Sequence, residues 1–195
     1  MIKLTIIIPV YNEIKTIEKL IKKILKINIK KQLIIVDDGS SDGTELILKK
    51  YKSRIDKLIF HKKNCGKGAA IKSGQKHVRG KYIGIQDADL EYDPRDLKKI
   101  VNEMSKKNIK VMYGSRVLKK NKFKNTQNFT HIVRIWGNVF LTKASNFLNR
   151  QKLTDAHTCY KVFDSRVFKK IKLKEKGFSF CPEITTKISM LNINI

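Results

Sequence analysis

Leu4-Thr5-Ile6-Ile7-Ile8-Pro9-Val10 decides the fold. The run is apolar without the polar alternation of a half-exposed strand, so it predicts a strand covered on both faces. Strands of that kind belong to parallel sheets flanked by helices. Leu33-Ile34-Ile35-Val36 repeats the pattern. Between the two, Ile14, Ile17, Leu20, Ile21, Ile24 and Leu25 recur at helical spacing, with Asn12 placed to cap the helix. Asp42 and Glu45 are spaced as a capping box for a second helix carrying Leu46, Ile47 and Tyr51.

The alternation continues with strands at Lys57–His61, Lys81–Gln86 and Val111–Tyr113, and with helices over Ala69–Val78 and from Asp93-Pro94 onward. Leu118 to Thr130 is polar and predicts a long loop, whose Lys119-Lys120-Asn121-Lys122 run is a candidate contact for anionic lipid. A helix over Ile132–Leu148, a strand at Cys159–Phe163, a helix over Pro182–Leu191 and the start of a strand at Asn192–Ile195 complete the pattern. Trp136, with Ile132, Val133, Val139 and Phe140, predicts helix packing or a lipid-contacting face, and Tyr160 and Phe163 predict core. The expectation is one domain over residues 1–195: a Rossmann-like α/β/α sandwich of three layers with a mostly parallel central sheet.

A net charge of +26 in 195 residues sets up a field that attracts polyanions, although lysines spread over every helix also make ordinary solvated faces. Cys65, Cys159 and Cys181 are odd in number and show no metal-ligand spacing, which suits reduced thiols in the cytoplasm. No run is long enough to cross a bilayer. His61, His77, His131 and His157 are scattered along the chain and suggest no ligand set.

Chemistry gathers where strands end. Tyr11-Asn12-Glu13, Asp37-Asp38-Gly39-Ser40, Asp87-Ala88-Asp89 and Gly114-Ser115-Arg116 each follow a strand, and open α/β sheets bind ligands outside those carboxyl ends. Asp or Asn at one strand end often only starts a turn; four such loops together point to a site. Asp87 and Asp89 lie roughly 7 Å apart at Cα on an extended chain and point to one side. Two hard carboxylates so placed suit Mg²⁺ or Mn²⁺, which complete their shells with water and phosphate oxygens. Arg116 offers a guanidinium fork that matches phosphate. Gly66-Lys67-Gly68 opens a helix whose amides can face an anion, without the spacing of a P-loop.

The ordered set Ile6-Ile7-Ile8-Pro9-Val10-Tyr11-Asn12-Glu13, Val36-Asp37-Asp38-Gly39-Ser40, Asp87-Ala88-Asp89-Leu90-Glu91 and Tyr113-Gly114-Ser115-Arg116 resembles the family 2 glycosyltransferases of GT-A fold. Thr154-Asp155, Thr158-Cys159-Tyr160-Lys161 and Pro182-Glu183-Ile184-Thr185 resemble later blocks of its polyprenyl-phosphate branch, the dolichol-phosphate mannose or glucose synthase-like enzymes. The resemblance implies that Pro9, Tyr11, Glu13 and Asp38 line a base and ribose pocket, with Asp87 and Ala88 beside the sugar and ribose. It places Gly66, Lys67 and Gly68 near the donor nucleotide. Asp89 is implied as the metal ligand, with Glu91 completing the shell although many relatives carry Gln there. Asp155 is implied to orient the acceptor or act as a base; the next acidic position of that block is His157 here, a departure that gives His157 a surface or packing role.

The implied reaction is inverting transfer of a hexose from a UDP- or GDP-sugar to an acceptor, with a polyprenyl phosphate expected from the branch. The enzyme is expected in the cytoplasm, peripheral on an anionic membrane face. Relatives continue beyond this length, which implies a C-terminally truncated fragment, a naturally short form or a domain that needs a partner. A nucleotidyltransferase that makes sugar nucleotides shares the sheet, but opens on a Gly-rich, Arg-containing loop where this chain has Pro9-Val10-Tyr11-Asn12-Glu13. A nucleic-acid module is suggested by charge alone, without the expected aromatic-basic motifs.

Overall fold

The computed structural model describes residues 1–116 and 129–195, with side chains in the helix that opens at Phe129 described from Trp136 onward. The expected loop over Leu118–Thr130, with its Lys119–Lys122 run, lies outside the described residues except for Phe129 and Thr130, which are helical.

Leu4–Val10 forms β1, and all of its residues except Pro9 are buried. It pairs in parallel with β2 (Lys31–Asp37) on one side and β4 (Tyr82–Ile85) on the other. β3 (Lys57–Phe60) adds to β2, while β6 (Lys161–Asp164) joins β4 to β5 (Val111–Tyr113). The order is β3-β2-β1-β4-β6-β5, and only β6 runs against the rest. The order reverses at β1: the chain lays β2 and β3 to one side, then returns to lay β4 on the other. Loops leaving β1 and β4 therefore diverge and open a crevice at their carboxyl ends.

The helices form two outer layers. α1 (Ile17–Leu25), α2 (Thr44–Lys50) and α4 (Asp96–Lys107) cover one face; α3 (Lys67–Gln75), α6 (Ser165–Lys170) and α7 (Phe180–Met190) cover the other. β1 feeds both cores by the period of two of a strand. Leu4, Ile6, Ile8 and Val10 pack with Leu20, Ile24, Leu97 and Met104. Ile7 packs with Ala70, Ile71, Phe180 and Ile184. This is the three-layer α/β/α sandwich with a mostly parallel sheet that the patterning predicts, and Tyr160 and Phe163 lie in its core.

Several local expectations are corrected. Asn12 does not cap α1, which begins at Ile17 behind Thr16. It takes a left-handed φ of 54°, accepts from the Ser41 N–H at 2.8 Å and donates its own N–H to Ser40, tying the loop after β1 to the loop after β2. Asp42 and Glu45 form no capping box. Gly43, at φ 95°, shifts the helix start to Thr44, so Asp42 accepts from the N–H groups of Thr44 and Ile14, and Glu45 pairs with Lys49. Leu48, not Leu46, is the buried anchor of α2. α4 begins at Asp96 because Asp93 first closes a turn on the Arg95 N–H. Asn192–Ile195 is no strand; Ile193 and Ile195 are held by the Gln151 side chain.

α5 (Phe129–Asn149) departs most. Trp136 and Phe140 are exposed rather than packed, and Ile132 and Val133 lie outside the described side chains. Among the described residues no helix is long and apolar enough to cross a membrane.

Candidate active site

A cavity of about 300 Å³ opens in the crevice above β1, β2 and β4. Pro9, Tyr11, Glu13, Asp38, Gly66, Lys67, Asp87 and Ala88 all line it, and Asp89 joins them. The reason is topological: parallel neighbours end on the same side, so residues up to eighty positions apart emerge side by side. Gly68 does not line the cavity; it lies buried against the 175–176 backbone, where an added Cβ would overlap the Glu175 carbonyl oxygen. Its neighbour Gly66 has φ 94° and meets the Lys176 carbonyl in the same way. These two contacts bring Gly177 and Phe178 to the cavity rim.

Asp38 is held firmly. Its Oδ1 is 2.6 Å from His61 Nδ1 and accepts from the Cys65 N–H, while Oδ2 accepts from the Gly66 N–H at 2.7 Å. His61 Nε2 in turn contacts Ser73 Oγ at 2.9 Å. In sequence His61 stands isolated and suggests no ligand set. β3 runs beside β2 and delivers it to Asp38, so Asp38, His61 and Cys65 place donor atoms within 4.8 Å of one another. Asp87, Asp89 and Glu91 do not converge to that spacing among the described residues.

The turn after β4 is fastened from below. Gln86 donates its side-chain amide to the carbonyls of Asp87 (3.1 Å) and Tyr92 (3.4 Å), clamping both ends. Asp89 Oδ1 accepts from the Glu91 N–H at 2.9 Å across Leu90, whose φ of 65° is uncommon for a residue with a side chain. Strain of this kind persists where surrounding structure enforces it. Asp89 and Glu91 stay exposed; Asp87 is partly buried and paired with Lys67. Burial pulls the Lys67 ammonium down, yet the Asp87 carboxylate outweighs it and leaves the group above its ordinary range. Lys67 Nζ also lies 5.9 Å from the centre of the Phe178 ring.

Arg116 and Asp155 meet as a bidentate pair. Nε donates to Oδ2 at 2.7 Å and Nη2 to Oδ1 at 3.0 Å, and Asn138 adds a bond of 3.2 Å to Oδ1. Burial raises the Asp155 carboxyl, but the bonds and charge of Arg116 more than compensate and hold it below the ordinary carboxylate value. A carboxylate so held is a weak base. Arg116 and Glu91, 3.9 Å apart, border a second cavity of about 380 Å³ together with Tyr92 and Ser115. His157 is half-buried; burial first, then Lys161, keeps its imidazole below its ordinary pKa. All three cysteines are free thiols.

Sequence reasoning misses Asn64, Gly177 and Phe178 in the main cavity. Phe178 carries no signal of its own, since it stands beside core Phe180 and nothing in the spacing separates a rim aromatic from a packed one.

A profile described as glycosyl transferase family 2 matches residues 5–172. Over 189 residues the chain is 25% identical to a dodecaprenyl-phosphate galacturonate synthase of Rhizobium johnstonii, covering 93% of this chain and 53% of that protein. Over 209 residues it is 28% identical to a UDP-N-acetylglucosamine–dolichyl-phosphate N-acetylglucosaminyltransferase of Methanococcus voltae, covering 96% of this chain and 81% of that one. The chain spans about half the length of several curated relatives it matches. The glucosyl-3-phosphoglycerate synthase of Mycobacterium tuberculosis, solved with Mg²⁺ and UDP, superposes with a TM-score of 0.70 at 16% identity, over 98% of this chain and 69% of that one. The fold is GT-A, and the chain belongs to glycosyl transferase family 2.

Proposed function

We propose that this chain is the catalytic domain of an inverting glycosyltransferase that moves a hexose from a UDP- or GDP-sugar to a polyprenyl phosphate. The work is placed at the cytoplasmic face of an anionic membrane, in glycan or cell-envelope biosynthesis. The observation that carries the reading is the meeting of Pro9, Tyr11, Glu13, Asp38, Lys67, Asp87 and Asp89 around one cavity at the sheet's switch point. The names of the Rhizobium and Methanococcus relatives support the acceptor class.

In this mechanism Tyr11, half-exposed at the rim, gives the base a stacking face. Asp38, immobilised by His61 and two amides, presents a fixed acceptor to a ring N–H. Glu13 and Asp87 take ribose and sugar hydroxyls. Lys67 gives the diphosphate a cation from a site already preorganised by Asp87. The donor set at the turn, Asp89 and Glu91, is hard oxygen and open to solvent, and these two carboxylates would hold Mg²⁺ or Mn²⁺. Such an ion supplies charge neutralisation to the leaving nucleoside diphosphate.

An acceptor phosphate oxygen attacks the anomeric carbon from the side opposite the diphosphate. The carbon–oxygen bond to the diphosphate breaks, its electron pair leaves with the nucleotide, and the configuration inverts. The lipid phosphate is already ionised at neutral pH and needs no general base. Asp155 accordingly serves as a positioning residue: it takes the Nε and Nη2 edge of Arg116 and leaves the Nη1 side of the guanidinium to meet phosphate.

Thermal-shift titration with UDP- and GDP-sugars, with and without Mn²⁺, tests the donor half: one donor class stabilises the protein, more so with metal. The same donor with dolichyl phosphate gives transfer that Asp87→Ala/Asp89→Ala abolishes. No shift from any donor, or full activity in the double variant, overturns the proposal.

A further inference from the structure

α5 is built inside out. Its inward side carries amides and a hydroxyl that hold the 153–156 segment. Asn138 donates to Asp155, Thr142 accepts from the Ala156 N–H at 3.2 Å, and Asn146 bonds both the N–H and the carbonyl of Leu153 at 2.8 Å. Its outward side carries Trp136, Phe140 and Phe147, which spacings of four and seven place on one face, with Leu141 and Leu148 beside them. Trp136, Phe140 and Phe147 are 70%, 71% and 85% exposed. At the carboxyl end Ser189 donates to the Asn149 carbonyl and ties α7 to α5. A surface helix of a globular protein shows the opposite arrangement. Contiguous exposed apolar surface of this extent marks an interaction site.

Charge selects the occupant. Every Lys, Arg, Asp or Glu from residue 129 through 154 is basic, with Lys143 inside the apolar face and Arg150 and Lys152 at its end. Two copies meeting through this face would set one +26 chain against another. An anionic bilayer reverses that sign, takes the aromatic rings at the headgroup level and leaves the basic side chains among phosphates. With no described helix able to cross a membrane, the contact lies in the plane of the interface.

We propose that the outward face of α5, centred on Trp136, Phe140 and Phe147, docks on an anionic phospholipid bilayer. The inference builds on the lipid-phosphate reading and adds the surface through which the membrane is met. It also orients the enzyme, because Asn138 on the opposite side of the same helix touches Asp155 and so couples the docked element to the Arg116 pair.

Co-sedimentation with vesicles of phosphatidylcholine, with and without phosphatidylglycerol, tests this. The wild type binds the anionic vesicles, high salt weakens binding, and Trp136→Ser/Phe140→Ser/Phe147→Ser lowers partitioning about tenfold or more while melting at the wild-type temperature. Equal binding by the triple variant overturns the proposal, as does absence of vesicle binding by the wild type. A concentration-dependent dimer that the triple variant abolishes overturns it in favour of a second copy. Transfer to a short, water-soluble prenyl phosphate separates the two readings. The triple variant keeps that activity if only docking is lost. Absence of transfer by both proteins, with vesicle binding as expected, removes the acceptor assignment and leaves the docking face standing.

Discussion

Arg116 and Asp155 are separated by 39 positions, and neither is informative without the other. In sequence Arg116 is a cation after a strand and Asp155 a carboxylate in a family-like block. Only the fold shows that they neutralise each other in a fork, which turns a candidate base into an orienting group. Arg116→Lys keeps the charge and loses the fork, so transfer should fall about a hundredfold with little change in donor affinity. Asp155→Asn should cost about 2 kcal/mol, less than breaking a fully buried pair because Arg116 retains 36% exposure. Since the folded carboxyl lies below its ordinary value of 3.8, its stabilisation is complete above that pH and is lost as pH falls through the folded value. Denaturant melts across the acid range should therefore show a steeper loss in the wild type than in Asp155→Asn. A parallel loss in both would remove the pair from the account.

At the scale of elements, β1 was legible because burial on both faces leaves a run with no polar interruption. The four strand-end loops were legible because parallel topology gathers their residues whatever the intervening helices do. What was not legible is how loops brace one another. Asn12 looks like a cap until Ser40 and Ser41 are beside it, and His61 looks idle until β3 lies against β2. α5 misled for a different reason, since helical spacing reports that an apolar face exists and not whether protein or something else covers it. Gly68 shows the same dependence on distant partners. Gly68→Ala should push the 175–177 backbone off the start of α3, carrying Phe178 from the rim. Donor KM should rise about tenfold with kcat nearly unchanged, at a stability cost of about 1–3 kcal/mol. An unchanged KM would detach this segment from donor binding.

For the whole molecule, the anomaly beneath the site is Lys161. It is fully buried, with Nζ 3.6 Å from the centre of the Tyr113 ring and a 3.0 Å bond to the Ala156 carbonyl. Burial pushes its pKa down to about 8. Between that value and its ordinary 10.5 the unfolded chain binds more protons than the folded one, so this group makes stability rise with pH there. The falling net charge of the chain adds a slope of the same sign, so the comparison must be made against Lys161→Met. The variant should be as stable or more stable at neutral pH, and its curve should lack the extra rise that the wild type shows above pH 8. Superimposable slopes would mean that the lysine is solvated.

The placement of β6 between β4 and β5 has a consequence for how the protein is made. By Ile85 every strand of the β3-β2-β1-β4 half has been made, so that half of the sheet can pair while synthesis is still under way, and its cavity is completed when Gly177 and Phe178 follow. β5 has no such option. Its one strand partner among the described residues is β6, so β5 joins the sheet only once Lys161–Asp164 has been made. Vectorial growth of the chain therefore matures the two halves of the sheet in sequence, the parallel half first.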